Sequence, residues 1–226
     1  MRCALAALVV TLALSGAARA DMPSAQAAFD VGAYSDAARA GEAAGGGDGL
    51  ALAASALVAQ SLLAGSLASP EALDRALSDG ERALALAPRS VDARLSIAVA
   101  LGMKGRRASL AEAWARGYAQ RGRRLIEEAL AIDPGNARAR ALLGGWHFEV
   151  LRRAGSAGGL LLGAHYDRGR AAFDAARSAA PDDPAIAFHY ALALLALNSQ
   201  RRARRGVARG RRRSTRAQRI RDGDLR

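Results

Sequence analysis

The amino-acid sequence predicts an all-α protein built from repeated pairs of helices. Three stretches close in the same way, with a helical run followed by a proline: ERALALAPRS, EEALAIDPGN and AARSAAPDDP. Their prolines, Pro88, Pro134 and Pro181, lie 46 and 47 residues apart. Each marks a helix end, because proline cannot continue the backbone hydrogen-bond ladder. Strands are not indicated, since β-branched residues are sparse and no apolar alternation extends over several positions.

The first residues have the pattern of a secretory signal peptide. Arg2 precedes an apolar run over 4–14, and a small-residue cleavage signal, Ala-Arg-Ala, ends at Ala20. We therefore expect residues 1–20 to be removed, together with the only cysteine, so that the mature chain begins at Asp21. Abundant alanine and arginine with a single lysine suggest a GC-rich bacterial genome. The expected location is exported, in the periplasm or secreted, with no later membrane-spanning segment.

Residues 21–198 are predicted to form one helical repeat domain. Apolar residues at helical spacing, interrupted by glycine and proline, define its elements. The expected helices are 24–31, 35–44, 50–64, 70–86, 91–103, 109–132, 137–153, 165–179 and 184–197.

Small and large residues recur at fixed distances before each proline. This pattern resembles the second helix of the tetratricopeptide repeat (TPR), which ends with the spacing A-x3-F-x2-A-x4-P. The residues that match it, directly or with conservative changes, are Gly169, Phe173, Ala176 and Pro181, and Gly122, Ile126, Ala129 and Pro134. The first stretch keeps Ala83 but departs from the pattern at the large position, where it has Gly80.

The stretch ALLGGWHFEV, residues 141–150, resembles the first helix of the same repeat. That helix has Leu, Gly and Tyr at positions 7, 8 and 11, which fall on Leu143, Gly144 and His147. The resemblance implies that His147 fills an aromatic packing position and that Gly144 lets a neighbouring helix approach. It also implies an α-α solenoid of about four helix-turn-helix pairs.

The repeat is longer than the usual TPR period of about 34 residues. The surplus falls between the two helices of a pair, where it can lengthen both helices or form a loop, and we expect some helices to be lengthened. A capping box at Ser109 and Glu112 predicts one long second helix over 109–132. The glycine-rich stretch 152–164 is too flexible to be all helix, and its three leucines are expected to pack back onto the pair.

The resemblance implies a scaffold that binds a protein or peptide and catalyses nothing itself. In this family the partner lies on the first helices of the stack. The implied partner-binding residues are Asp92, Leu95, Val99, Arg138, Phe148, Phe188 and Leu192. Phe148 and Phe188 are the natural anchors if they are exposed, and core residues if they are buried. The identity of the partner does not follow from the sequence.

Catalytic and metal-binding patterns are weak. None of the three histidines forms H-E-x-x-H, although His147 and His165 could approach across a helix pair with Asp167 or Glu149 nearby. A metal hydrolase is therefore the least favoured class. The glycine-rich stretch 155–165 lacks the G-K-[ST] ending of a phosphate loop. We predict no metal, cofactor or catalytic residue.

Residues 199–226 are predicted to be an arginine-rich tail without packed structure. The stretch 201–226 holds twelve arginines against Asp222 and Asp224, whereas the rest of the chain is nearly neutral. One interpretation is polyanion binding, to anionic lipid, lipopolysaccharide or, less favoured for lack of stacking aromatics, nucleic acid. The other interpretation is that a frame change produced this stretch, so that it is not the native C-terminus.

The last predicted helix, 185–198, lacks the partner helix that covers each earlier first helix. Its leucines lie on more than one face. A solenoid end without a capping helix tends to associate with other molecules. Terminal repeats normally carry a polar outer face that prevents this. We therefore expect self-association through the 185–198 helix.

Overall fold

The computed structural model describes residues 21–199, which contain ten α-helices and no strand. This confirms the predicted all-α, TPR-like architecture. The helices are α1 (Met22–Asp30), α2 (Tyr34–Ala44), α3 (Gly46–Ala64), α4 (Pro70–Leu86), α5 (Val91–Arg107), α6 (Leu110–Ala115), α7 (Tyr118–Ile132), α8 (Ala137–Leu162), α9 (Tyr166–Ala179) and α10 (Pro184–Ser199). A 3-10 turn, Gly65–Leu67, follows α3. The predicted signal peptide and arginine-rich tail lie outside the described residues.

Four helix pairs follow one another along the chain. They are α1 with α2, α3 with α4, α5 with α7, and α8 with α9, and α10 begins a further pair. A side-chain cap opens each first helix after a proline turn. Ser90 accepts a hydrogen bond from Ala93 N at 3.2 Å, and Asn136 accepts one from Ala139 N at 2.9 Å. These caps satisfy backbone donors that the first turn of a helix leaves unpaired.

The first and second helices of the pairs contact their neighbours differently. The first helices α3 and α5 pack together, and the buried hydroxyls of Ser55 and Ser96 are hydrogen-bonded across them at 2.8 Å. Successive second helices make no comparable contact within residues 21–199. Ion pairs link them instead, as between Arg75 and Glu42 at 2.5 Å. The first helices therefore share one face of the stack, which we call the first-helix face.

Helix α3 lies at the centre of the N-terminal half. It contacts α2, α4 and α5, and it is apolar around its whole circumference. Together with the 3-10 turn it is long and apolar enough to cross a membrane, by length and composition alone. Half of that stretch is buried inside the protein, which is the pattern of a core helix.

The surplus residues of each long repeat form short helical inserts, and three details of the sequence prediction are wrong. The expected helix 109–132 is broken after α6, because Gly117 adopts a left-handed conformation with φ of 63°. Helix α8 does not stop near residue 153 but bends at Gly155, where φ is 67°, and continues as helix over 156–162. Two of its three leucines do not pack back onto the pair, since Leu160 and Leu161 are 83% and 71% exposed, whereas Leu162 is half-buried.

Candidate protein-binding groove

Two glycines bring α8 and α9 into close contact. A Cβ atom added at Gly144 would lie 2.5 Å from Phe173 Cδ2 and 2.9 Å from Gly169 O. A Cβ added at Gly169 would lie 2.6 Å from Phe148 Cε1. All three distances are shorter than the contacts that real Cβ atoms make, so only glycine permits this approach. Helices α8 and α9 therefore pack closely against each other, and α10 lies on this pair.

His147 is a buried packing residue between these helices. Its side chain is almost fully buried, and its Nδ1 accepts a hydrogen bond from the backbone N–H of His165 at 3.3 Å. Burial lowers the pKa of His147 to about 4, and the nearby charges of Arg123 and Arg168 act in the same direction. The imidazole is therefore neutral near pH 7. Its Nδ1 atom, which could otherwise bind a metal ion or a proton, already accepts the hydrogen bond from His165.

The residues that the resemblance assigns to repeat packing lie at helix contacts and helix ends. Leu143 is half-buried. Pro134 and Pro181 are exposed in the turns that follow the second helices. The buried members are Ala83, Gly122, Ile126, Ala129, Gly144, His147, Gly169, Phe173 and Ala176.

Two of the seven implied partner-binding residues are core residues. Phe148 is 1% exposed and stacks on Tyr166 and Tyr190, with ring centroids 5.3 and 6.3 Å away. Leu95 is also 1% exposed and belongs to the core between α5, α7 and α8. Leu95 packs in a cluster with residues of α7 and α8, and Phe148 packs against residues of α9 and α10, so neither is available to a partner.

The exposed apolar surface of the first-helix face lies on α10. Seven, eleven and fourteen residues after Pro181 stand Phe188, Leu192 and Leu195, which are 60%, 46% and 65% exposed. The opposite side of α10 is held by buried Ile186 and Leu197. We call Phe188, Leu192 and Leu195 the apolar strip. Leu195 was not among the implied partner-binding residues, although the same count from the proline identifies it.

Two of the equivalent positions on α5 and α8 carry the buried residues Leu95 and Phe148, and the others carry small or half-buried residues. Eleven residues after their prolines stand Val99 and Gly145, both half-buried, and Gly102 on α5 is exposed. The exposed apolar strip of α10 is suited to an extended or helical peptide.

Ion pairs link α5 to α8 before and after these positions along the two helices. Near the start of both helices Arg138 Nη1 lies 3.2 Å from Asp92 Oδ1, so these two implied partner-binding residues bind each other. Farther along, Glu149 lies 2.5 Å from Arg152 and 3.6 Å from Arg106. Burial raises the pKa of Glu149, but the Arg152 hydrogen bond and the surrounding arginines outweigh it and hold that pKa below its ordinary value.

The geometry offers no metal centre among the described residues. Within 21–199, no three histidine, cysteine, aspartate or glutamate side chains are grouped so that they could hold an ion. Glu149, the carboxylate that could have joined His147, is bound by arginines instead.

Comparison with known proteins supports no assignment by sequence. Neither a protein-family model nor a curated protein matches the chain. Among solved structures, it is similar to a thermophilic TPR protein from Thermus thermophilus, with 20% identity and a TM-score of 0.45. The similarity covers 76% of this chain and 95% of that chain. At this level it carries no functional argument, and the TPR-like class rests on the helix pairs and their packing described above.

Proposed function

We propose that the protein is a scaffold that binds a protein or peptide partner on its first-helix face and catalyses nothing itself. The observation that carries this proposal is the apolar strip of α10, three large side chains exposed on one face of the helix. Large exposed apolar side chains that line up on one face mark interaction sites. The partner that fits is a segment with apolar residues at helical or alternate spacing.

The ion pairs restrict where that partner can place charge. Asp92 and Arg138 neutralise each other at one end, whereas the cluster at the other end combines Glu149 with Arg106 and Arg152. The second cluster has an excess of positive charge. We expect the bound segment to carry an acidic residue near it and apolar residues against the strip, because complementary charge sets register more than affinity.

Affinity capture with residues 21–198 tests the groove. The pair Phe188→Ser and Leu192→Ser should abolish capture of a specific partner, because truncating a central apolar anchor removes most binding energy. Leu86→Ser is the matched control, since Leu86 is 64% exposed but lies at the end of α4, away from the strip. Equal capture by all three proteins would contradict the proposal.

The polyanion hypothesis is the rival function, and its carrier, the arginine-rich stretch 201–226, lies outside the described residues. Binding that persists in residues 21–198 favours the groove. Binding that disappears with the tail and weakens steeply with added salt favours the rival, because phosphate-dominated affinity is strongly salt-dependent.

The proposed scaffold is exported. The signal-peptide pattern of residues 1–20 supports this location. Mass spectrometry of the protein from its native host should find a mature N-terminus at Asp21 in the envelope fraction. A chain that retains Met1 in the cytosol would contradict export while leaving the groove untouched.

We also propose that the same apolar strip mediates self-association when no partner is bound. Burying an exposed leucine side chain gains roughly 1.5–3 kcal/mol. An uncovered strip therefore favours association with a second copy of the chain. Light scattering on residues 21–198 should show oligomers that become monomers after Leu192→Ser and Leu195→Ser. A monomer before substitution would show that the strip alone does not drive association.

A further inference from the structure

A second exposed apolar line runs along α10, next to the apolar strip. Ala187 and Ala191 are exposed, and Leu195 belongs both to this line and to the strip. The three residues stand four positions apart, so they lie on one side of the helix. We call Ala187, Ala191 and Leu195 the open side of α10.

On the earlier first helices, the position of Ala191 is covered by the second helix of the same pair. Ten residues after the preceding proline stand Ala98 on α5 and Gly144 on α8, and both are buried. A Cβ atom added at Gly122 of α7 would lie 3.8 Å from Ala98 O, and one added at Gly144 would lie 2.9 Å from Gly169 O of α9. Within residues 21–199 no second helix follows α10, so its open side is the surface that such a helix would cover.

Successive second helices are also linked by a repeated ion pair. Arg75 of α4 and Arg121 of α7 each stand 13 residues before the proline of their repeat. Arg75 lies 2.5 Å from Glu42 of α2, and Arg121 lies 2.5 Å from Glu81 of α4. Each of these second helices thus contributes an arginine to a carboxylate of the second helix before it.

Asp174 is the carboxylate that a further second helix would reach. It stands seven residues before Pro181, as Glu81 stands seven before Pro88, and its side chain is 50% exposed. It also lies 3.5 Å from Arg170 of its own helix. A carboxylate can accept from more than one guanidinium, because its two oxygens offer several acceptor sites.

The sequence after α10 repeats the second-helix pattern of α4, with Asp222 in place of the proline. Gly223 follows Asp222, and glycine commonly ends a helix. At 15, 13, 12, 8, 5 and 2 residues before Pro88, α4 has Leu73, Arg75, Ala76, Gly80, Ala83 and Leu86. At the same distances before Asp222 stand Val207, Arg209, Gly210, Ser214, Ala217 and Ile220.

The spacing suits a helix that turns back onto α10. Such a helix would place on one side, free of arginine, the residues Ala203, Val207, Gly210, Ser214 and Ala217. Helix α10 ends at Ser199, and 200–202 would form a turn as long as 31–33 between α1 and α2. Ala191 lies eight residues before Ser199, and Gly210 lies seven residues after 203, so the two can meet at one level.

We propose that the segment 203–220 docks on the open side of α10 as the second helix of a fifth pair. In this arrangement Gly210 lies against Ala191, Arg209 binds Asp174, and the other arginines face solvent. The short connection favours docking, because it holds the segment near α10 at a high effective concentration. Composition alone predicted a tail without packed structure, since the many arginines obscure the spacing of the small residues.

Disulfide formation tests this contact in residues 21–226, which contain no cysteine. The pair Ala191→Cys and Gly210→Cys should close within one chain at least about tenfold faster than two matched pairs, because a disulfide needs Cα atoms within about 7 Å. One control pairs His189→Cys with Gly210→Cys, since His189 is exposed on another side of α10. The other pairs Ala191→Cys with Arg212→Cys, on the opposite side of the segment. Equal rates for the three pairs, or disulfides only between two chains, would overturn the proposal.

Hydrogen exchange gives an independent measurement on the chain without cysteines. Amides in 203–220 should exchange at least about tenfold more slowly in the parent chain than in Ala191→Lys, whose charged side chain occupies the open side and repels arginine. His189→Lys adds the same charge elsewhere on α10 and should keep the slow exchange. Fast exchange in all three proteins would show that the segment does not dock. Failure here leaves the groove untouched, since Phe188 and Leu192 are unchanged.

Discussion

Helices α5 and α10 occupy equivalent places in the repeat but have opposite surroundings. On α5, Leu95 is buried because α7 and α8 pack over it. On α10, Phe188 stands the same seven residues after its proline and is 60% exposed. The difference shows that the proline spacing fixes the position of a residue in the repeat, whereas the following helices determine whether its side chain is buried or exposed.

The largest expected effect tests this comparison directly. Leu95→Ala should lower the free energy of unfolding by about 2–5 kcal/mol, since it leaves a cavity in a packed core. Phe188→Ala should change it by less than about 0.5 kcal/mol, as expected for an exposed residue. Urea denaturation of both variants measures the difference. Similar losses would show that the strip of α10 is covered within the fold.

The next prediction concerns the helix pair beneath α10. Gly144→Ala should cost up to about 3 kcal/mol, because the new methyl group overlaps Phe173 and the Gly169 carbonyl. Gly122→Ala is the matched control on α7, where an added Cβ meets nothing nearer than Ala98 O at 3.8 Å. Alanine there should stabilise by about 0.5–1 kcal/mol through its higher helix propensity. Thermal unfolding of both variants measures the difference. Equal shifts in Tm for Gly144→Ala and Gly122→Ala would contradict the close approach of α8 and α9.

The smallest expected effect sharpens the interpretation of the 141–150 stretch. The pKa of His147 is about 4 in the folded protein and near its ordinary 6.5 when unfolded. Between those pH values the unfolded chain binds the extra proton, so stability falls as the pH is lowered from 6.5 toward 4, by about 2 kcal/mol. His147→Phe should fold and lose this part of the pH dependence. A variant that does not fold would refute a simple packing role.

Much of the fold could be predicted from the sequence because its signals are local. The three prolines and the small residues before them mark second helices, and Gly144 with His147 marks a first helix. The break at Gly117 was missed because the capping box at Ser109 starts a helix without specifying its length. The exposure of Leu160 was missed because burial depends on non-local packing, which no local pattern encodes.

The candidate site could be predicted only in part for the same reason. Asp92 and Arg138 lie at their implied positions, but their mutual ion pair depends on the spacing of α5 and α8. Phe148 and Phe188 were both implied partner-binding residues. Phe173 of α9 and Tyr190 and Leu197 of α10 cover Phe148, whereas no described helix follows α10 to cover Phe188.

Site-specific photo-cross-linking tests the central claim, that the apolar strip is the partner-binding surface. A benzoylphenylalanine placed at Phe188 is compared with one at Leu86, which has a similar exposed fraction. In cells of the native host, position 188 should give a discrete adduct with a different protein, and position 86 should give none. Adducts of equal yield at both positions, or only the mass of two copies of this chain at position 188, would contradict the claim.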